Sequence, residues 1–452
     1  MKTYKKLLYT AVMGVSVSLS ACNKELNLNP YNQIDQSQAL LTGKDVQAAL
    51  VGTYSKMGAR DLYGGRVFLE PDLMATQNII NWFDTYQGMT QMVDQTIPND
   101  NTFVADLWLA AYSTINTANN VLAAVGKVSA DDQGRVKGEA EFIRGTTYFD
   151  LVRLFGRAWN DGDPNVNLGV PIVLTPTTQI DASSYVARST VAQVYQQAIN
   201  DLKDAEAKLP ENNDFYANKY SAAAMLSRLY LQKGDYANAA AEATTVISSG
   251  QFALNPNYAD EFPYNPLSGP AHYSNTPEDI FAMQVTSQQG VNGLNEFYAA
   301  SADLGRGRLT IKQSFINEFE PGDTRALFYN GNYTAKFRNE YGNVHVIRLA
   351  ELYLTRAESN LRLGTTTGDT PLNDVNTIRT RAGLPPLTSV TINQVLTERR
   401  HELAFEGGFF FHDAKRLGQP IGALPYNSPK LVFPIPLREI NANPKLVQNP
   451  GY

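Results

Sequence analysis

Apolar side chains recur at steps of three and four along much of this sequence, a spacing that only helix packed on helix can satisfy. Val191, Val194, Ala198, Leu202, Ala205 and Leu209 make one stripe of a single helix. Thr190 and Gln193 form a capping-box pattern at its start, because a hydroxyl and an amide three residues apart can satisfy each other's backbone N–H. Pro210 ends it, having no N–H to continue the ladder. Ala350, Tyr353, Ala357 and Leu361 mark a second helix that Gly364 can terminate. Thr391 and Gln394 give a further capping box ahead of Val395, Arg399 and Leu403.

The pattern is clearest over residues 219–250. Ala222, Met225, Leu226 and Leu229 line one helix, Gly234, Asp235 and Tyr236 make a turn, and Ala239, Ala240, Ala243 and Ile247 line a second helix closed by Gly250. This unit resembles a tetratricopeptide repeat, in which small residues let paired helices approach closely. Residues 105–125, 135–156 and 345–383 read as degenerate copies. One pair cannot bury its own apolar face, so the copies are expected to stack. Residues 60–103 and 255–345 differ: they are rich in Gly, Asn, Pro, Tyr and Phe and poorly periodic, with one apolar run of strand length from Ile280 to Val285. Loops that long inside a domain usually carry function. The expected architecture is all-α: helix-turn-helix repeats forming a scaffold, with a loop-rich binding lobe laid on it, the whole of 37–452 being one domain.

The start of the chain reads as an address. Lys2, Lys5 and Lys6 precede an apolar run from Leu7 to Leu19, the length of a signal segment and too short to span a bilayer. The run closes on Leu19, Ser20, Ala21 and Cys22, which resembles a bacterial lipobox. Residues 1–21 are therefore expected to be removed, Cys22 to carry the lipid, and 22–36 to form a polar tether. Cys22 is the only cysteine among 452 residues, so no intramolecular disulfide and no cysteine-based zinc site can form. Two or more acyl chains hold a protein stably at a membrane. No later run approaches the ~20 apolar residues of a spanning helix, so the rest of the chain is expected to be soluble. Charged residues are 18% of the chain and the net charge is −6, with no basic stripe, so nucleic acid is not an expected partner.

Several patterns tempt a reading as chemistry. Glu398, Glu402 and Glu406 stand four apart beside Arg399 and His401, and paired carboxylates can hydrolyse glycosidic bonds. Glu and Arg interleaved on helices more often form ion pairs, and that reading is preferred here, as it is for Glu351, Arg356 and Glu358. Gly305, Arg306, Gly307 and Arg308 lack the last glycine of a dinucleotide loop. Asp161, Asp163 and Asn165 alternate as a calcium loop begins, but Val166 stands where that loop needs glycine, so a polar turn is expected. The four histidines are scattered. No catalytic residue, cofactor or metal is expected.

Rings among amides carry the stronger signal. Sugar C–H faces pack on flat side chains while their hydroxyls need amides, carboxylates or guanidinium groups alongside, and aromatics supply rigid area at small entropic cost. Trp82, Phe83 and Tyr86 lie among Asn78, Asn81, Asp84 and Gln87. A second cluster holds Asn295, Phe297, Tyr298, Arg306 and Arg308, and a third Tyr264, His272 and Tyr273. The ligand-binding set expected from these is Trp82, Phe83, Tyr86, Asn81, Asp84, Tyr298, Arg306 and Arg308, with Trp82 foremost. The competing reading for each ring is that it packs its loop onto the scaffold. Trp108 is expected in the core; Trp159 stays open.

Motifs in order along the chain resemble the SusD/RagB family. They are the run from Trp108 through Tyr112, Ile115 and Asn116 to Asn119, and the run from Gly138 through Glu139, Glu141, Arg144, Tyr148, Asp150 and Arg153 to Gly156. Arg348, Glu351, Arg356 and Glu358 follow, then Arg379, Arg381 and Gly383, then Glu398 to Gly407 with Asp413, Lys415 and Arg416, and a proline-rich end through Pro434, Pro436, Pro444 and Pro450. The sequence departs from the family pattern between Arg157 and Val170. The resemblance implies an outer-membrane lipoprotein facing the cell exterior that captures an oligosaccharide and delivers it to a SusC-like TonB-dependent β-barrel transporter. The alternatives it leaves are a peptide ligand, as in the RagB branch, and a surface glycan-degrading enzyme.

Overall fold

The computed structural model describes residues 40–288 and 290–452. The expected signal segment, Cys22 and the expected 22–36 tether lie outside them. From α1 (Gly43–Met57) the chain departs through α2 (Arg66–Ala75), the strand β1 (Ile80–Trp82) and α3 (Gln87–Val93), and returns as α4 (Thr102–Ala124). Then come α5 (Ala130–Phe155), α6 (Val191–Lys208), α7 (Lys219–Lys233) and α8 (Tyr236–Ser248). A second departure carries β2 (Asp279–Met283), α9 (Gly293–Tyr298), β3 (Leu309–Ile311), α10 (Gln313–Ile316) and β4 (Val344–Arg348). It returns as α11 (Leu349–Leu363), α12 (Pro371–Arg381) and α13 (Ile392–Glu402), followed by α14 (Phe409–Arg416) and α15 (Leu437–Ala442).

The fold is all-α, as the periodicity requires. α1 packs on α4, α4 on α5, α5 on α6, α6 on α7, α7 on α8, α8 on α11, and α11 on α12 and α13, one continuous stack of paired helices. Both capping boxes read from the sequence are present, Thr190 with Gln193 on α6 and Thr391 with Gln394 on α13. Gly234 and Gly364 end α7 and α11 in the left-handed conformation, at φ +75° and +68°, which a side chain would resist. A glycine lets α5 and α6 approach closely. A Cβ on Gly145 would lie 2.9 Å from the Asp201 Cβ and 3.1 Å from the Ala198 carbonyl oxygen. Beside it the Arg144 guanidinium spans three helices, donating to Asp201 at 2.8 and 2.7 Å and to the Asn119 side-chain oxygen at 2.9 Å.

The two poorly periodic segments are the two departures from this stack, but the first is more helical than its sequence suggests. α2 is buried from Arg66 to Met74. A helix covered on every side shows no polar face and hence no periodicity, and Pro71 within it reads as a breaker. The apolar run at 280–285 does form a strand, β2, antiparallel to β4. Asp163 accepts from the Asn165 backbone and side chain at 2.8 and 3.0 Å, so the departing loop opens in a polar turn, as Val166 implies. Farther along, Arg188 gathers the carbonyls of Gly169, Leu168, Phe155 and Val447 at 2.7–3.1 Å. This ties the loop and the C-terminal tail to the end of α5.

Candidate ligand-binding site

The two departures meet in a two-stranded ribbon. β1 runs antiparallel to β3 with Ile80 opposite Ile311, Asn81 opposite Thr310 and Trp82 opposite Leu309. Just beyond the strand, the Phe83 N–H donates to the Arg308 carbonyl at 2.8 Å. Alternation then sorts the side chains. Ile80 goes into the core, and the Asn81 amide donates across the ribbon to the Thr310 hydroxyl at 3.2 Å.

Past the ribbon the chain turns about Asp84, whose carboxylate accepts the Tyr86 N–H at 3.0 Å. Arg306, 222 residues away, grips the same carboxylate through Nε at 2.6 Å and Nη2 at 2.8 Å. Its guanidinium lies 4.2 Å from the centre of the Tyr86 ring. Burial pushes the Asp84 carboxyl up, but the bonds from Arg306 and the Tyr86 amide outweigh that and hold it below the usual carboxylate range. The pair is a planar, bidentate clamp that fixes one departure against the other.

The rings fall into two ranks. Trp82 is half-buried; its indole N–H donates to the Thr90 hydroxyl at 2.9 Å, and its ring lies nearly parallel to Phe297, centroids 6.4 Å apart at 16°. Tyr86 is also half-buried, edge-on to Phe103 and tilted against Phe297. Phe83 is 60% exposed, the outermost ring of the set, and Arg308 beside it is exposed too. Seven of the eight expected side chains thus share one neighbourhood: Asn81, Trp82, Phe83, Asp84, Tyr86, Arg306 and Arg308.

Tyr298 does not join them, and the expectation for it is corrected. It is 1% exposed, its ring packed against Phe337 and Phe405, and its hydroxyl faces Asp72. It lies on α9 among buried residues, where it anchors the lobe. Asn295 is likewise buried, its amide donating to the Phe337 and Asp303 carbonyls at 2.8 and 3.0 Å. The third cluster is held by its own contacts: Arg338 covers the Tyr264 ring at 4.6 Å, and a His272 ring nitrogen bonds the Val285 carbonyl at 2.8 Å. Trp108 is in the core, as expected, and Trp159 is half-buried against Tyr195. Sequence reasoning missed the supports, Thr90, Phe103 and Thr310. Each is ordinary in its local sequence and gains its role only from the chain folded against it.

The carboxylates that suggested hydrolysis are held in ion pairs. Arg325 bonds Glu398 at 2.5 Å and Glu402 at 3.2 Å; Arg348 bonds Glu278, Glu402 and Glu406 at 2.6–2.8 Å. Arg381 reaches Glu278 and Glu402 as well, and Lys336 reaches Glu406 at 2.5 Å. Burial alone would raise Glu406, but Arg348 and Lys336 hold it at about 2. Four of these charges, Glu278, Arg325, Lys336 and Arg348, come from the second departure and its strands, the others from α12, α13 and the turn after α13. The network joins lobe to scaffold, in line with the structural reading of these motifs.

Similar proteins fall in one group. A family model described as "Starch-binding associating with outer membrane" matches residues 26–231, and one described as "SusD family" matches 326–424. The chain is 29% identical to SusD-like protein P2 of Formosa agariphila across 69% of this chain, a stretch spanning 58% of that relative. It is 23% identical to SusD-like protein P38 of the same organism over the full length of both. Among solved structures, a SusD superfamily protein from Bacteroides thetaiotaomicron superposes with a TM-score of 0.80 at 27% identity, covering 91% of this chain and 100% of that one. A structure described as a putative sugar binding protein from Bacteroides vulgatus gives 0.80 at 27% identity, covering 92% and 99%.

Proposed function

The chain belongs to the SusD/RagB family, and on that premise we propose that it is a cell-surface carbohydrate-binding protein which captures an oligosaccharide and passes it to a SusC-like TonB-dependent outer-membrane transporter. The observation that supports the reading is the ribbon of β1 and β3, which brings an exposed ring, an amide, a clamped carboxylate and two guanidinium groups into one neighbourhood. Phe83 would supply the exposed apolar plane, with Asn81, Arg306 and Arg308 as partners for sugar hydroxyls, while Trp82, bonded to Thr90 and beside Phe297, would support the ribbon from its other side. The protein acts by binding, with stacking and hydrogen bonds in place of chemistry. Cys22, lipidated, would hold it at the outer membrane facing outward, with the 22–36 tether giving it reach. Among the described residues no helix is long and apolar enough to cross a membrane, so attachment would rest on that anchor.

Calorimetric titration against a panel of plant and host glycans tests the ligand, with peptide pools in parallel. One glycan class is expected to bind, and Phe83→Ala to weaken it at least tenfold while thermal unfolding is unchanged. Binding of peptides in place of glycans would move the protein to the peptide branch, and binding of neither would end the reading. Cys22→Ser is expected to release the protein from the membrane fraction.

A further inference from the structure

Away from the ring face, one buried group of side chains is left over by everything above. Glu261 ends a short 3-10 turn, Tyr258–Glu261; Asp279 opens β2 and His345 lies on β4. The β2–β4 pairing, with its irregular register between Asp279 and Ala282, brings these strands together. One ligand-type atom of each residue lies within 4.8 Å of the others. The His345 Nδ1 is 2.5 Å from the Asp279 Oδ1 and 3.3 Å from the Glu261 Oε1. Both carboxylates are essentially excluded from solvent.

The Glu261 carboxylate is divided in its contacts. Its Oε2 accepts from the Asn255 amide and the Thr276 hydroxyl, both at 2.6 Å. Its Oε1, turned to the imidazole, accepts no hydrogen bond although it is wholly buried. A buried carboxylate oxygen left in this way is costly. One imidazole proton can serve Asp279 or Glu261 but not both. Once Nδ1 has given up its proton, as a metal ligand must, the three groups carry a formal charge of −2 that a dication would cancel.

We propose that Glu261, Asp279 and His345 form a binding site for a divalent transition cation of the zinc type. A mixed imidazole and carboxylate donor set suits that class. The 3.3 Å between Glu261 Oε1 and His345 Nδ1 is about the edge of a tetrahedron with bonds of ~2.0–2.1 Å, while the 2.5 Å between Nδ1 and the Asp279 Oδ1 is a hydrogen bond that an ion would open by ~0.8 Å. The outer contacts are those a metal site uses to aim its ligands: Asn255 and Thr276 orient Glu261, the Thr276 N–H donates to the Asp279 Oδ2 at 2.8 Å, and Phe262 packs edge-on against the His345 ring. A cavity of ≈ 20 Å³ lined by Ser274, Thr276 and Asn343 adjoins Asp279 and His345, room for about one water as the fourth ligand. The cations nearby, Arg348 and Lys336, are held by Glu278, Glu402 and Glu406. The role is structural: the ion would pin the 258–261 turn to the strands that lead into α11.

Cobalt titration of the chelator-treated protein tests this. A single equivalent of Co²⁺ is expected to give a visible d–d absorption band that Zn²⁺ abolishes. Glu261→Gln, nearly the same shape, is expected to weaken Zn²⁺ at least tenfold with an unchanged circular dichroism spectrum; His345→Asn should do the same, and His272→Ala should not. Absence of the band in the unaltered protein overturns the site. So does a band that Glu261→Gln leaves intact, which would mark an adventitious ion elsewhere.

Discussion

At the scale of single residues, the ring face divides labour between neighbours in the sequence. Phe83 is exposed while Trp82 is bonded through Thr90 and stacked on Phe297. Phe83→Ala should therefore leave stability within about 0.5 kcal/mol, as surface changes do. Trp82→Ala removes a half-buried ring and should cost roughly 2–3 kcal/mol in urea unfolding, somewhat under the cost of a fully buried aromatic. If both variants unfold alike, the two ranks of rings do not exist. This set was legible because rings, amides and a carboxylate crowd one short stretch. Tyr298 was not, since a residue in an aperiodic segment declares no face, and only Phe337 and Phe405 reveal that it points inward. Glu70 is another residue whose position the sequence hides. It is fully buried on α2, and neither carboxylate oxygen finds a hydrogen bond. Burial raises it to about 8, with Arg66 opposing. A carboxyl raised in the fold is easiest to keep protonated, so its contribution is intact below pH 4.5 and is lost as pH climbs through 8. Glu70→Gln should thus flatten the fall in unfolding free energy between pH 4.5 and pH 8.

At the scale of elements, what the sequence discloses follows what is local. Capping boxes and left-handed glycine ends involve residues three or four apart, and those on α6, α7, α11 and α13 were readable. Thr391→Ala should cost about 1 kcal/mol by loss of its cap. β1 and β3 were not readable as strands: each has three residues, and their partner lies more than two hundred residues off. The same pairing makes them a sensitive target. Thr310→Pro takes a donor out of the ribbon and should abolish glycan binding while far-UV dichroism stays helical. Gly145→Ala addresses the opposite element. The methyl would press on Asp201 and the Ala198 carbonyl, and the strain of forcing α5 from α6 should cost roughly 1–3 kcal/mol.

At the scale of the whole molecule, lobe and scaffold are joined by buried charge as well as by apolar packing. Arg348 is the one cation shared by Glu278, Glu402 and Glu406, which otherwise keep only Arg381, Arg325 or Lys336, so Arg348→Ala removes the centre of the network and should cost about 3–5 kcal/mol, the usual penalty for breaking a buried pair. Acid reaches the same junction. Glu406 is held at about 2, where its ordinary value is 4.5. The stability it lends is complete above pH 4.5 and disappears as pH falls through 2, which urea midpoints at pH 7 and pH 3 would register. The sequence could show that Glu and Arg alternate over 398–416; it could not show that their partners lie in the second departure, since charge patterning names no long-range mate.

The ribbon of three residue pairs has a last consequence, for how such a protein can change. The face proposed to take the ligand is sewn from two strips of chain, and neither strip belongs to the column of helices behind it. On that proposal, substitutions at Phe83 or Arg308 would alter which nutrient is chosen without disturbing the seams between helices. Recognition is free to drift at the stitching while the cloth keeps its weave.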